Sequence, residues 1–309
     1  MSPVSWLNGS VSNGISAVGD FSGIHLEDVT VQVDGLSRPA LDRVSLRQGA
    51  GCLTVLGPRG CGKSTLLNVV ASRVAPSQGT ARVGGADVAQ DPLAVRRLVG
   101  YVPETVTVPD DLTLFEYLLE LARLDGLGRE SRDRVEAAMA AVHLATASQR
   151  RLKAFSGGMK RRALLAQALM KDPAVLVVET PTAGLDPYEQ LMTLDLVRSL
   201  AEDRPVLLST TVVDDVQDLG GHVAVLDRGR LIRRLPAREL ALMARGLVWE
   251  LPWSFRARME GLVFPGPRPD TVAVLADASP HQVARPVDPT PEYGYLVLLW
   301  NSRRERQSA

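Results

Sequence analysis

Gly57-Pro58-Arg59-Gly60-Cys61-Gly62-Lys63-Ser64-Thr65 is the stretch that decides how this chain is read. It fits the spacing G-x-x-x-x-G-K-[ST], a glycine-rich loop that cradles phosphate. Its flanks agree: Cys52-Leu53-Thr54-Val55-Leu56 is an apolar run of strand length, and Leu66-Leu67-Asn68-Val69-Val70 continues as a helix. Glycines at 57, 60 and 62 let backbone N–H groups curl around an anion, and the helix start adds the positive end of its dipole. Lys63 is placed to reach terminal phosphates, and the Ser64 hydroxyl to ligate Mg²⁺. A glycine turn that binds nothing needs neither lysine nor hydroxyl in register. The loop from Gly57 through Pro58, Arg59, Gly60, Cys61, Gly62 and Lys63 to Ser64 and Thr65 is the expected ligand-binding element.

The 309 residues allow one large domain with an appendage, or two domains. Thirty-five basic residues balance 35 acidic ones, so no global field points to nucleic acid or acidic lipid. The two cysteines, Cys52 and Cys61, form neither a disulfide framework nor a zinc spacing, and a reducing compartment is expected. Residues 1–22 are Ser/Gly/Asn-rich and read as a flexible lead-in without a signal peptide. No stretch reaches the ~18 apolar residues of a membrane span, so any membrane role is expected to come through a partner.

Outward from the loop, the chain alternates. Strands are expected over residues 24–33, 41–46 and 80–83, the last turning at Gly84-Gly85, and a buried segment over 96–102. From 112 to 152 the period becomes about 3.6: Leu114, Leu118, Leu121 and Leu124 repeat on one face, as do Val135, Met139 and Val142, with a break at Gly126-Leu127-Gly128. Helices over 160–170, 188–201 and 214–219 then interleave with strands over 175–178, 206–209 and 223–232. This order predicts an α/β fold: a mostly parallel, covered sheet with an antiparallel β subdomain and a helical insertion over about 106–157. After residue 243 prolines cluster, and short strands over 247–251, 271–275 and 295–300 predict a small β-rich C-terminal appendage over 244–309, behind a main domain over 23–243.

Phe155-Ser156-Gly157-Gly158-Met159 is, alone, an ordinary helix start with Ser156 as N-cap. About ninety residues after the phosphate loop, beyond a helical insertion and before a buried strand, it resembles the signature of ATP-binding cassette (ABC) proteins. Thr182-Ala183-Gly184-Leu185-Asp186-Pro187 is similar to that family's D-loop. The proline-rich tail resembles the extension of drug- and polymer-exporter cassettes. The resemblance implies a P-loop NTPase core, ATP and Mg²⁺ as cofactors, a second cassette as partner and a separate transmembrane permease. It further implies that Ser156, Gly157 and Gly158 touch nucleotide held by the partner cassette, and that the protein is cytoplasmic, peripheral at the inner face of the membrane.

The family pattern is broken around the implied catalytic centre. Glu179-Thr180 stands where the family has Asp-Glu. Glu179 keeps a carboxylate for Mg²⁺, one methylene longer. Thr180 replaces the residue that polarises the attacking water, and a missing general base costs ~10²–10⁴-fold in rate. Glu104 falls where the family has a metal-sensing glutamine. A carboxylate about 4 Å from a γ-phosphate is repelled by about 4 kcal/mol at an effective dielectric near 20, so it needs Mg²⁺ between them, a proton, or another position. Thr211 replaces the switch histidine, and the four histidines (25, 143, 222 and 281) read as ordinary surface or packed residues. Val33-Asp34-Gly35-Leu36 offers no ring for adenine. The expected metal ligands are Ser64, Glu179 and Glu104, and Glu179, Glu104, Thr180 and Thr211 are the altered catalytic positions.

Two functions compete. One is a transporter's ATP-binding subunit with impaired hydrolysis at its own site. The other is a non-hydrolytic regulatory or assembly subunit that uses ATP to switch dimerisation. A soluble cassette acting on ribosomes or DNA is disfavoured by the missing second cassette and the missing basic face. Cys61 reads as a small residue tolerated in the loop rather than a redox switch, and Lys160-Arg161-Arg162 either as a contact for phosphate or partner acids or as a solvated helix face.

Overall fold

A computed structural model describes residues 23–35, 37–105, 107–259 and 262–307. The lead-in over 1–22, Leu36 of the expected adenine segment and residue 106 at the start of the insertion lie outside them. β1 (Ile24–Val31) and β2 (Leu41–Gln48) pair antiparallel, Leu26 opposite Leu46. β3 (Gly51–Leu56) is buried almost throughout and runs into the phosphate loop, and α1 (Lys63–Val70) follows at once. β4 (Gln78–Val83) and β5 (Ala86–Asp87) complete a four-stranded antiparallel sheet in the order β2-β1-β4-β5.

The expected buried segment over 96–102 divides in two. α2 (Pro92–Leu98) comes first, and β6 (Val99–Val102) is only four residues long. Asp91 accepts from the Ala94 N–H and Pro92 opens the helix, so an Asp-Pro start signal overrides the apolar look of the residues beyond it. α3 (Leu114–Leu124) is fixed by a reciprocal capping box between Thr113 and Glu116. Leu114 and Leu118 are buried, but Leu124 is 83% exposed. At ~100° per residue it lies roughly 80° off the Leu114 direction, outside the stripe. α4 (Ser131–Ala141) buries Val135 and Met139 as expected, and α5 (Gly157–Leu169) starts at the serine-glycine segment.

β7 (Val175–Glu179), α6 (Pro187–Leu200), β8 (Pro205–Thr210), α7 (Val213–Leu219), β9 (His222–Asp227) and β10 (Arg230–Pro236) complete the central sheet. Its order is β10-β9-β3-β8-β7-β6, parallel except for β10. Side chains alternate across a strand. Val175 and Val177 face a core with α1 and the antiparallel sheet, whereas Leu176 and Val178 face one with α3, α4, α5 and α6. Both faces are covered, which is why these strands read as continuous apolar runs.

β11 (Val248–Pro252), β12 (Val263–Pro265), β13 (Thr271–Leu275) and β14 (Arg285–Pro286) form the appended antiparallel sheet, ordered β12-β13-β11-β14. The last segment corrects the expected strand over 295–300: it lies inside α8 (Pro291–Gln307), whose 17 residues make it the longest helix described. Thr290 accepts from the Tyr293 N–H at 3.3 Å and Pro291 opens the helix. Tyr295, Leu298 and Leu299 pack on β9 and β10, while Tyr293, Val297 and Trp300 pack on the appended sheet. A helix buried on two sides shows no polar stripe, so a six-residue apolar run does not betray its period. α8 thus ties the appendage to the main sheet, and Arg306 near its end pairs with Asp227 of β9. Among the described residues no helix is long and apolar enough to cross a membrane.

Candidate nucleotide site

The loop after β3 closes tightly. A Cβ on Gly57 would lie 2.3 Å from the Leu226 carbonyl oxygen and 2.6 Å from Cys61 Sγ. Gly62 has φ +108°, and a Cβ there would meet the Ala40 oxygen at 2.4 Å, so both positions require glycine. Lys63 is buried and its Nζ donates to the Gly57 and Pro58 carbonyls at 2.7 and 2.9 Å. Burial holds its pKa below the usual lysine range. The same ammonium also reaches Cys61 Sγ at 3.9 Å, so each of its hydrogen-bond partners among the described residues belongs to the loop itself. Cys61 is buried and burial pushes its thiol up, which leaves it a packing residue.

A cleft of about 720 Å³ opens over this loop. Gly60, Gly62, Lys63, Ser64 and Thr65 of the loop line it together with Glu104, Thr180 and Thr211. Arg38, Arg59 and Arg228 also line it. The sequence-predicted residues from four separate segments therefore meet in one place. None of the four histidines lines the cleft, and Ser156, Gly157 and Gly158 lie elsewhere, at the start of α5. No motif in the sequence singles out Arg38 or Arg228. Arg228 sits at φ +51° before Gly229 in a two-residue hairpin turn, a signal that marks the turn but not its neighbour across the chain.

Glu179 ends β7, is buried and is not among the described residues that line the cleft. Its Oε2 accepts a long 3.4 Å bond from the Glu104 N–H, while Oε1 is buried with no partner. Burial pushes its pKa up, opposed by the Glu104 N–H and Tyr101. An orphaned carboxylate oxygen next to the Glu104 backbone is the hard-oxygen chemistry that suits Mg²⁺. No cluster of three His, Cys, Asp or Glu side chains able to hold a metal occurs among the described residues, so a divalent ion here needs phosphate and water oxygens as well. Thr180 carries φ +39°, costly for a β-branched residue, and its buried Oγ1 has no partner. Arg161 is no solvated residue, contrary to one of the two expectations for its helix face. It is buried and its Nη1 donates to the Pro103 oxygen at 2.8 Å, bracing the segment that carries Glu104.

Comparison with known proteins agrees with this geometry. The ABC transporter family profile matches residues 41–183. The chain is 37% identical over 204 residues to the daunorubicin/doxorubicin resistance ATP-binding protein DrrA of Streptomyces peucetius, covering 65% of this chain and 62% of that one. It is 34% identical over 223 residues to the daunorubicin resistance ATP-binding protein DrrA3 of Streptomyces coeruleorubidus, covering 70% of this chain and 71% of that one. The chain belongs to the ATP-binding subunits of ABC transporters. In three dimensions this ABC cassette is similar to one solved as a dimer in a post-hydrolysis state with ADP and Pi (TM-score 0.62, 23% identity, 70% of this chain and 99% of that one). It is also similar to a bacterial Atm1-family ABC exporter with ATP bound (TM-score 0.62, 25% identity, 76% of this chain and 42% of that one).

The cassette holds a buried polar link that no short motif announces. Asp215 of α7 accepts from Thr210 Oγ1 at 2.5 Å and from Thr182 Oγ1 at 2.8 Å. Thr182 opens the D-loop-like segment and Thr210 precedes Thr211 on the cleft wall. One carboxylate thus ties the two segments together. Burial pushes its pKa up while both hydroxyls lower it.

Proposed function

We propose that this cassette binds Mg-ATP in the Lys63 cleft, pairs with a second cassette and drives or regulates a separate membrane permease, while hydrolysing poorly at its own site. The observation that carries this reading is the unequal make-up of the cleft. The phosphate loop is complete, but Thr180 and Thr211 line the cleft where chemistry needs a proton acceptor and an imidazole. Glu104 is the one carboxylate among the described lining residues, and its backbone holds Glu179. Ser64, Glu104 and Glu179 would hold Mg²⁺, which would neutralise phosphate charge. Without an aligned base, turnover is expected ~10²–10⁴-fold below that of a complete site.

The names of the relatives, which include two Nod factor export ATP-binding proteins, favour export as the direction of transport. The second cassette is a copy of this chain or a companion. Residues 244–309 serve as an accessory domain seated by α8, and the protein works at the inner face of the membrane through its permease. Steady-state ATP turnover of the purified chain, compared with Lys63→Ala, tests the reading. Slow turnover with intact, Lys63-dependent ATP binding supports it; brisk Lys63-dependent turnover refutes it.

A further inference from the structure

The N-terminus of α5 is already occupied by an anion from the same chain. Glu189, in the first turn of α6, accepts from the Ser156 hydroxyl at 2.5 Å through Oε1 and from the Gly158 N–H at 3.1 Å through Oε2. A Cβ on Gly158 would lie 2.5 Å from the Glu189 carboxyl carbon, so the carboxylate rests directly on the glycine. Nearby donors are spent as well: Met159 N–H goes to Ser156 Oγ and Lys160 N–H to the Ser156 carbonyl. No ion pair of Glu189 occurs among the described residues, so within the protein its half-buried charge is met by these donors. Its own N–H is fixed by Asp186, the cap of α6, at 2.9 Å, which aims the side chain back at α5.

We infer that Glu189 is an internal occupant of the signature's phosphate-facing donors, which the nucleotide held by the second cassette must displace before the pair closes. The inference rests on the reading that the two cassettes share their nucleotides. A carboxylate and a phosphate group compete for the same hydroxyl and N–H because both are oxyanions, and like charges do not share one nest. Glu189 thereby sets how much ATP closure requires.

The test uses the full chain and its Glu189→Gln and Glu189→Ala variants, with Mg-ATP titrated while dimer formation is followed by sedimentation velocity. Both variants are expected to dimerise at about tenfold lower ATP, the factor that ~1.4 kcal/mol represents. Without nucleotide, the Gly158 peptide should exchange its amide hydrogen faster in Glu189→Ala, a readout that does not depend on dimerisation. Unchanged or higher ATP midpoints beside a wild-type dimer overturn the inference alone, as does unchanged exchange. Wild type and variants that bind ATP yet stay monomeric sink the sharing of nucleotides and the inference with it.

Discussion

Gly294 sits in α8 where helix propensity and packing make opposite demands. Alanine favours a helix interior by about 1 kcal/mol over glycine, so propensity alone predicts that Gly294→Ala stabilises the protein. The structure predicts the reverse. A Cβ at 294 would lie 1.7 Å from the Leu240 carbonyl oxygen and 2.7 Å from its carbon. Leu240 is fully buried, and its backbone cannot swing aside as a flexible side chain would. Cβ atoms approach no nearer than about 3.0 Å, so α8 must retreat by roughly 1.3 Å. That gap opens under Val297, Leu298 and Leu299, all nearly buried. Burying three such side chains contributes ~5–9 kcal/mol, and a gap of only about 0.5–1 Å already forfeits a quarter to a half of close contact, so this wider one costs at least about 2–4 kcal/mol. After the propensity gain of about 1 kcal/mol, the net loss is at least about 1–3 kcal/mol. Urea unfolding followed by far-UV circular dichroism measures it, and limited proteolysis after residue 246 reports whether α8 has lifted. A variant as stable as wild type, or more so, refutes the claim that the helix is seated against Leu240.

Other predictions concern buried polar groups. Asp215→Ala leaves the Thr182 and Thr210 hydroxyls without their acceptor, which should cost about 2–4 kcal/mol in urea unfolding; a loss under 0.5 kcal/mol would show the link to be idle. The Glu250 carboxyl in the appended sheet is held below the usual range chiefly by the Arg268 guanidinium, with Thr271 adding to it. A depressed folded-state pKa contributes stability that is present above the unfolded value near 4.5 and is lost as pH falls through the folded value. Melting temperatures between pH 7 and pH 3 should therefore fall less steeply in Arg268→Ala than in wild type, and parallel curves would contradict this. Lys63→Ala should abolish Mg-ATP binding in a fluorescent-nucleotide titration while leaving the melting temperature within a few degrees.

The parts of this protein legible in its sequence are those that one local segment specifies. The phosphate loop reads from spacing because glycine, lysine and hydroxyl must follow one another along a strand-loop-helix unit. Thr113 and Glu116 announce α3 because a capping box closes within four residues. Asp91-Pro92 carried a comparable signal, but the apolar residues after it obscured where helix gives way to strand. α8 was hidden for a different reason. Its side chains are buried on two sides, and no polar stripe remains to reveal a period. The site divides in the same way. Lys63, Glu104, Thr180 and Thr211 came from recognisable positions, whereas Arg38, Arg228, Asp215 and Glu189 matter only because distant segments meet. Glu189 reads as an ordinary first-turn acid of α6, and only the packing of α6 against α5 brings it to Ser156 and Gly158.

The most direct test of an intact grip with a depleted reaction shell is to follow one label. Radiolabelled ATP is mixed with excess full-length protein and Mg²⁺, and nucleotide retained by the protein is identified as ATP or ADP over many minutes. The account predicts retention that requires Lys63, with the label staying ATP. Rapid Lys63-dependent conversion to ADP, or no retention at all, would contradict it.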